Sequence, residues 1–174
     1  MRLLFVDTET TGLSPRRGDR VVEVACVEMC DGRLTGREFH RLIDPQRPVP
    51  AEVAAIHGLD DTRLRGQPVF AAIAPELLDL IGDGRVVMHN APFDRGFFAA
   101  EFARLDLACP ALTDPGRIID TLPRFRVRHP GQPCSLSALC ERHGLAPESG
   151  ENWHGALTDA RMLARLWLAA VMAV

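Results

Sequence analysis

The stretch LLFVDTETTGL, residues 3–13, begins as an apolar, β-prone run and ends on charge. Asp7 and Glu9 stand one residue apart where the run ends. Because side chains alternate along a strand, the two carboxylates point the same way if the strand persists that far. Two such charges about 4 Å apart repel by roughly 4 kcal/mol at an effective dielectric constant of 20. A fold can tolerate this repulsion by exposing both groups, as when the strand ends at Asp7, by protonating one of them, or by supplying a cation.

The composition is that of an ordinary globular domain. The 174 residues suit a single domain over residues 1–174 that is long enough to bury a core, and 47% of them are hydrophobic. The net charge of −3 excludes a globally basic nucleic-acid binder. A polyanion would therefore have to meet local positive charge or bound metal.

The cysteine pattern bears on the compartment. The five cysteines are odd in number and form no CxxC pair, which favours free thiols in a reducing compartment. No signal peptide precedes the first strand, and no run of eighteen apolar residues occurs. We therefore expect a cytoplasmic protein that makes no contact with a membrane.

Apolar patterning predicts five strands, over residues 2–7, 20–30, 37–43, 86–90 and 117–120. The main predicted helices cover 69–81, 92–107, 121–128, 136–142 and 156–174, with Ser135 and Gly144 as the cap and stop of the fourth. Pro75 either kinks the first of these helices or marks a later start. Three strands followed by alternating helices and strands indicate an α/β domain with a mixed five-stranded sheet flanked by helices.

Two further segments carry candidate functional acids. In MHNAPFD, residues 88–94, Asp94 falls in the first turn of a helix, where an acid also suits the helix dipole. In NWHGALTDAR, residues 152–161, His154 precedes Asp159 by five positions, a spacing that surface residues often share by chance. Each segment alone is therefore weak evidence for a site.

Taken together, the acids suggest metal chemistry. Four carboxylates without a cysteine ligand suit hard cations such as Mg²⁺ or Mn²⁺. Two such ions about 3.5–4 Å apart can clamp the attacking and leaving oxygens of a phosphoryl transfer. A histidine side chain, with an ordinary pKa of about 6.5, can take the proton of the attacking water. Such a general base increases the rate about 10²–10⁴-fold.

The motifs DTETTGL, IHGL at 56–59, HNAPFD and HGALTDA resemble the DnaQ-like 3′–5′ exonucleases in their histidine-containing DEDDh branch. The resemblance covers nearly the whole chain, and it is strongest to the proofreading epsilon subunits of bacterial DNA polymerase III. It implies a ribonuclease H-like fold, two divalent cations, and release of nucleoside 5′-monophosphates from the 3′ end of single-stranded DNA. By motif match the metal ligands would be Asp7, Glu9, Asp94 and Asp159, with His154 as general base.

The same resemblance suggests substrate contacts. Thr10, Gly12 and His57 would hold the terminal nucleotide, and Asn90 and Phe93 would flank the metal site. Phe93 has an alternative role as a core residue at the start of its helix, and we favour a structural role for His89. In RFRVRH, residues 124–129, Arg124 and Arg128 share a helical face that either touches the nucleic-acid backbone or is simply solvated.

Other functions stay open on sequence alone. An RNA-directed relative, such as an oligoribonuclease or an RNase T-like enzyme, shares the catalytic motifs. A catalytically idle scaffold domain would associate with DNA polymerase subunits, which are also expected partners of an active enzyme. The apolar helix that ends the chain fits either a stand-alone exonuclease or the exonuclease domain of a polymerase subunit.

Overall fold

The computed structural model describes residues 1–148 and 153–170. Its sheet has five strands in the order β3-β2-β1-β4-β5. The β1–β2 and β2–β3 pairs are antiparallel, whereas β1–β4 and β4–β5 are parallel. This confirms the predicted mixed five-stranded sheet. The strands are β1 Arg2–Thr10, β2 Val21–Cys30, β3 Arg33–Leu42, β4 Arg85–Met88 and β5 Ile118–Asp120.

Helices cover both faces and one end of this sheet. They are α1 Ala51–His57, α2 Asp61–Leu64, α3 Phe70–Ile81, α4 Ala91–Ala103, α5 Pro110–Thr113, α6 Thr121–Arg128, α7 Leu136–Arg142 and α8 Ala156–Ala170. Ser135 caps α7 as expected, since its hydroxyl accepts from the Ala138 N–H. Within the described ranges, no helix is long and apolar enough to cross a lipid bilayer.

Three helix ends differ from the sequence prediction or lie beyond it. The α3 helix already begins at Phe70, so the later start at Pro75 is wrong. Pro75 inside the helix removes the hydrogen bond to the Ala71 carbonyl. The cost is limited because Ala71 is exposed to water. The α4 helix ends at Ala103 rather than at residue 107, and Asp106 then adopts a left-handed conformation with φ 53°. Residues 171–174 of the predicted last helix lie outside the described residues.

Alternation along β1 decides which helix meets which side chain. Leu4 and Val6 lie in the cluster that packs beneath α3 and α4. Leu3 and Phe5 lie in the opposite cluster, with Ala160 and Trp167 of α8. The ring of Phe5 meets that of Trp167 edge-on at 6.1 Å. Further along β1, odd-numbered side chains therefore face α8 and even-numbered ones face α4.

Candidate active site

The central strand β1 persists through Thr10, with Asp7 opposite Ala25 and Glu9 opposite Glu23 on β2. Asp7 and Glu9 therefore share the face that α8 covers. Asp159, in the first turn of α8, is brought to the same place. Carboxylate oxygens of Asp7, Glu9 and Asp159 lie within 4.8 Å of one another. The alternative in which the strand ends at Asp7 and both acids separate into water is wrong.

Asp94 approaches this cluster from the other layer. It lies in the first turn of α4, is only 3% exposed, and accepts a hydrogen bond of 2.7 Å from the Thr8 hydroxyl. The group of three oxygens within 4.8 Å does not include Asp94. Its charge still acts on Asp7, where it is the strongest of the neighbouring charges that raise the pKa. Three of the four predicted acids thus form one group at the end of β1, and Asp94 is a neighbour of that group.

Burial and mutual repulsion disfavour the charged forms of these acids. Burial is the main cause that raises the pKa of Asp7 well above its ordinary value, followed by the charges of Asp94, Asp159 and Glu9. Burial likewise raises the pKa of Glu9 from an ordinary value near 4.5 to about 9. The pKa of Asp159 is also raised by burial, and His154 partly offsets this shift. Without a cation the cluster therefore retains protons.

The donor set fits a hard divalent cation. Asp159 Oδ1 is buried and has no hydrogen-bond partner among residues 1–148 and 153–170. A buried carboxylate oxygen without a partner is costly unless a ligand compensates it. Once Asp7 and Glu9 are ionised they can only accept hydrogen bonds, so a cation rather than another acid would then satisfy this oxygen. An all-carboxylate cluster of this kind suits Mg²⁺ or Mn²⁺.

These pKa shifts predict how the metal-free protein responds to pH. The pKa of Glu9 is about 9 in the folded protein, whereas its ordinary value is near 4.5. Because folding raises this pKa, the protonated form of Glu9 favours the folded state, and that contribution to stability is fully present below the ordinary value. It is lost as the pH rises through the folded pKa. The melting temperature measured in EDTA should therefore decrease as the pH rises from 5 to 9. The decrease should be smaller for the Glu9→Gln variant. Added Mn²⁺ should raise the melting temperature more at the alkaline end, since metal competes with protons. A metal-free melting temperature that rises across this range would contradict the prediction.

His154 lies in the loop that leads into α8. Its backbone is left-handed, with φ 66°, which is uncommon for a residue other than glycine and concentrates at functional positions. Its charge lies close enough to Asp159 to lower the pKa of that carboxyl, against the effect of burial. The side chain is exposed and lines two cavities, one on each side of it. The predicted base and the predicted ligand Asp159 are thus brought together.

The first cavity, of about 550 Å³, contains Asp7, Asp159 and Asn90 in its lining. The second cavity, of about 570 Å³, is lined by His57, Gly58 and Thr158 among others. Trp153 and His154 line both. Space for a chain molecule therefore exists on either side of the histidine.

The residues predicted to hold the terminal nucleotide lie around the turn that follows β1. The Leu59 N–H donates to His57 Nδ1, so the ring carries its proton on Nε2, which lies 3.3 Å from the Thr10 carbonyl. Burial lowers the pKa of His57 and favours this neutral form. The Thr10 hydroxyl donates to the Gly12 carbonyl at 2.7 Å, which leaves little of it for a ligand. A Cβ at Gly12 would come within 2.5 Å of Asp19 Oδ2, so a larger residue there would displace the Asp19 carboxylate.

Asn90, Phe93 and His89 have different surroundings. Asn90 has φ 71°, donates its N–H to Asp120 Oδ1 at 3.1 Å, and lines the first cavity. Phe93 is half-buried and packs on Phe97 at a ring distance of 5.0 Å, which suits the core alternative for this residue. The ring nitrogens of His89 each lie 2.8 Å from a partner, the Thr121 hydroxyl and the Cys134 carbonyl, as a structural histidine would.

Sequence reasoning overlooked Glu23. This buried carboxylate lies opposite Glu9, accepts from the Ala156 N–H at 3.0 Å, and lies 2.6 Å from His40 Nε2. It therefore fixes the start of α8, on which Asp159 depends. The available signal was a single acid inside the apolar run VVEVACV, at 21–27, where a charge is costly without partners. Thr8, the partner of Asp94, carried no comparable signal.

A buried ion pair joins α4 to the turn after β1. Glu101, only 2% exposed, accepts from Arg20 Nε at 2.7 Å and from a second guanidinium nitrogen at 2.8 Å. The backbone of Arg20 in turn pairs with Thr11. The pair thus connects the helix that carries Asp94 to the loop that begins at Thr11.

We expect Glu101→Ala to lower the free energy of unfolding by about 2 kcal/mol. The cost of an unpaired buried charge is about 3–5 kcal/mol, and Arg20 keeps some contact with water. Urea unfolding measures the change. The matched control is Glu76→Ala, which breaks an exposed pair with Arg41 and should cost less than about 1 kcal/mol. Equal losses in both variants would contradict the assignment of a buried clamp.

Comparison with known proteins agrees with this geometry. Residues 4–167 match the RNase_T family model, described as exonuclease. The DNA polymerase III subunit epsilon of Rickettsia felis is 42% identical over 168 residues, covering 97% of this chain and 73% of that protein. The Escherichia coli subunit epsilon is 38% identical over 172 residues, covering 97% of this chain and 70% of that protein.

Solved structures show the same fold. Exonuclease X in complex with 5′ overhanging duplex DNA superposes with a TM-score of 0.74 at 29% identity, over 95% of this chain and 89% of that one. The nuclease domain of 3′hExo, a DEDDh family member bound to rAMP, gives a TM-score of 0.82 at 14% identity, over 99% and 92%. The second likeness concerns the fold alone.

The family match and the fold therefore identify a nuclease with a ribonuclease H-like domain, a class that hydrolyses phosphodiester bonds. The chain belongs to the DnaQ-like exonuclease family, with the polymerase III epsilon subunits among its relatives, and it is a 3′–5′ exonuclease. The resemblance found in the sequence is confirmed. Membership also implies that divalent metal takes part in the reaction.

Proposed function

We propose that this chain removes nucleotides one at a time from the 3′ end of single-stranded DNA and that it proofreads for a DNA polymerase. The observation that carries the proposal is the cluster of Asp7, Glu9 and Asp159 oxygens within 4.8 Å, with His154 beside it. The relatives that share 38–42% identity are polymerase subunits, which supports a polymerase partner. The free thiols fit a cytoplasmic setting, and residues 1–174 would form the single exonuclease domain.

The acids that would hold two divalent cations, Mg²⁺ or Mn²⁺, are Asp7, Glu9, Asp94 and Asp159. When bound, these cations stabilise the charge that develops on the phosphate during hydrolysis. The protein's contribution is a set of anionic oxygens whose repulsion is relieved only by cations or protons. Thr8 orients the Asp94 carboxylate, and Glu23 fixes the start of α8 below Asp159.

His154 would take the proton of the attacking water. Its position on the wall between the two cavities lets the imidazole face a phosphate that joins nucleotides on either side. The water oxygen forms the new bond to phosphorus, and the bond from phosphorus to the 3′ oxygen of the preceding nucleotide breaks. The products are a nucleoside 5′-monophosphate and a strand with a new 3′ hydroxyl.

The terminal nucleotide would lie beside Thr10, Gly12 and His57. His57, neutral and fixed by its two hydrogen bonds, offers one face of its ring to the second cavity. Thr10 adjoins this place through its carbonyl, which accepts from His57 Nε2, and Gly12 through its carbonyl, which accepts from the Thr10 hydroxyl. Asn90 lines the cavity on the other side of the metal ligands, and Phe93 would act through its packing beside Asp94.

A direct test uses a 5′-labelled DNA oligonucleotide and an RNA of the same sequence. With Mg²⁺ or Mn²⁺ we expect a ladder of products shortened from the 3′ end, nucleoside 5′-monophosphate as the released product, and faster hydrolysis of DNA. EDTA should stop the reaction. Internal cleavage, or full activity in EDTA, would contradict the proposed chemistry, and a clear preference for RNA would favour the RNA-directed alternative.

A further inference from the structure

The arginines of α6 differ in their surroundings, although their sequence spacing suggests one basic face. Arg124, Arg126 and Arg128 are all exposed. Arg128 donates to the Ala170 carbonyl at the end of α8. Arg126 lines the first cavity, and neither Arg124 nor Arg128 does. The sequence pairing of Arg124 with Arg128 therefore does not identify the residue that faces the active site.

Arg126 has no protein partner within the part of the chain that the structure describes. Across residues 1–148 and 153–170, its guanidinium makes neither a hydrogen bond nor an ion pair. It shares a cavity of about 550 Å³ with Asp7, Asp159 and His154. Gln132 and Ser137, from the segment that leads into α7 and from α7 itself, add neutral polar groups to the same cavity. An unpaired guanidinium beside acids that bind cations suits an anion from outside the protein.

The identity of the anion that Arg126 would bind follows from the direction of the nucleic-acid strand. The proposed contacts of the terminal nucleotide lie at the second cavity, where His57 is part of the lining. The phosphate to be cut would lie at the acidic cluster, next to His154. The preceding nucleotide must then leave on the opposite side of His154, which is the first cavity. Its own 5′ phosphate is the next anion along the chain.

We propose that Arg126, with Gln132 and Ser137, binds the phosphate on the 5′ side of the penultimate nucleotide. The inference rests on the proposed function, because it takes the position of the cut phosphate from it. It assigns the enzyme a preference for substrates that carry a phosphate beyond the scissile one. Arg124, on the same helix but outside the cavity lining, is the matched control.

The test compares two thymidine dinucleotides, one with a 5′ phosphate and one with a 5′ hydroxyl. Only the first carries the upstream phosphate. We expect wild-type kcat/KM to be about tenfold higher for the phosphorylated dinucleotide, as one charge-assisted contact allows. Arg126→Gln should reduce this ratio to about one, Arg126→Lys should keep part of it, and Arg124→Gln should keep all of it. The ratio is an internal control, since partial unfolding or metal loss lowers both rates together.

Salt dependence gives a second readout on a longer single strand. Loss of one phosphate contact should make the plot of log KM against log salt concentration shallower by about 0.7 for Arg126→Gln, with no change for Arg124→Gln. A wild-type ratio of one, or equal loss of preference in both variants, would overturn the assignment of Arg126 while the exonuclease function stands. If the wild-type protein hydrolyses neither dinucleotide nor longer DNA, the proposed function fails and the inference fails with it.

Discussion

Asp7→Asn is expected to lower kcat/KM on single-stranded DNA by roughly 10³-fold or more, since the loss of a proposed metal ligand would remove several kcal/mol of stabilisation. Asp7 lies at the centre of the acidic cluster, next to Glu9 and Asp159. Its replacement keeps the shape of the side chain and removes one charge that the other acids repel. Initial rates at saturating Mn²⁺ measure the effect.

The same variant separates catalysis from folding. Because burial and neighbouring acids raise the pKa of Asp7, its charged form is disfavoured in the metal-free fold. We therefore expect the melting temperature of Asp7→Asn in EDTA to equal or exceed that of the wild type at pH 8, whereas stabilisation by Mn²⁺ should shrink. Asp79→Asn, an exposed position on α3, is the control and should retain activity and metal response. A folded Asp7→Asn protein with near wild-type activity would refute the metal-ligand assignment.

His154→Gln is expected to lower kcat by about 10²–10⁴-fold, the usual contribution of a general base. Glutamine retains polarity and similar reach but cannot accept the proton. Within the described residues no hydrogen bond joins the His154 ring to Asp159, so the proposed metal ligands should keep their positions. Stabilisation of the variant by Mn²⁺ and its KM should therefore stay close to wild type.

The control for this variant is His143→Gln, an exposed histidine that follows α7 and lies in neither cavity lining. It should change kcat by less than about twofold, as surface substitutions usually have small effects. If His154→Gln raised KM strongly and left kcat unchanged, the histidine would be a substrate contact and not the base.

The sequence predicted the sheet and most of the acidic cluster because both depend on local patterns. Alternation along β1 was enough to align Asp7 with Glu9 once the strand was long enough. The uncertain point was the end of that strand. Its pairing with β2 settles it, since β2 extends the ladder to Val21 and thereby orders Thr10. Such pairing depends on residues distant in sequence.

Features that need two layers of the fold were not predictable in the same way. Asp94 reaches the site from α4 through Thr8, so its exact distance from Asp7 depends on how helix and sheet pack. Glu23 acts through Ala156, which is 133 positions later in the chain. Among the α6 arginines, the helical period grouped Arg124 with Arg128, whereas the cavity beside α6 selects Arg126. The sequence of one helix does not show which of its faces the neighbouring elements leave accessible.

The central claim is that the carboxylates of Asp7, Glu9, Asp94 and Asp159 hold two divalent cations. Its most direct test is anomalous scattering from crystals grown with Mn²⁺ and a nucleoside 5′-monophosphate. The account predicts two manganese peaks roughly 3.5–4 Å apart, both bounded by these acids, with Asp7 touching both. A crystal saturated with Mn²⁺ that shows no peak at this cluster, or peaks bound by other residues alone, would contradict it.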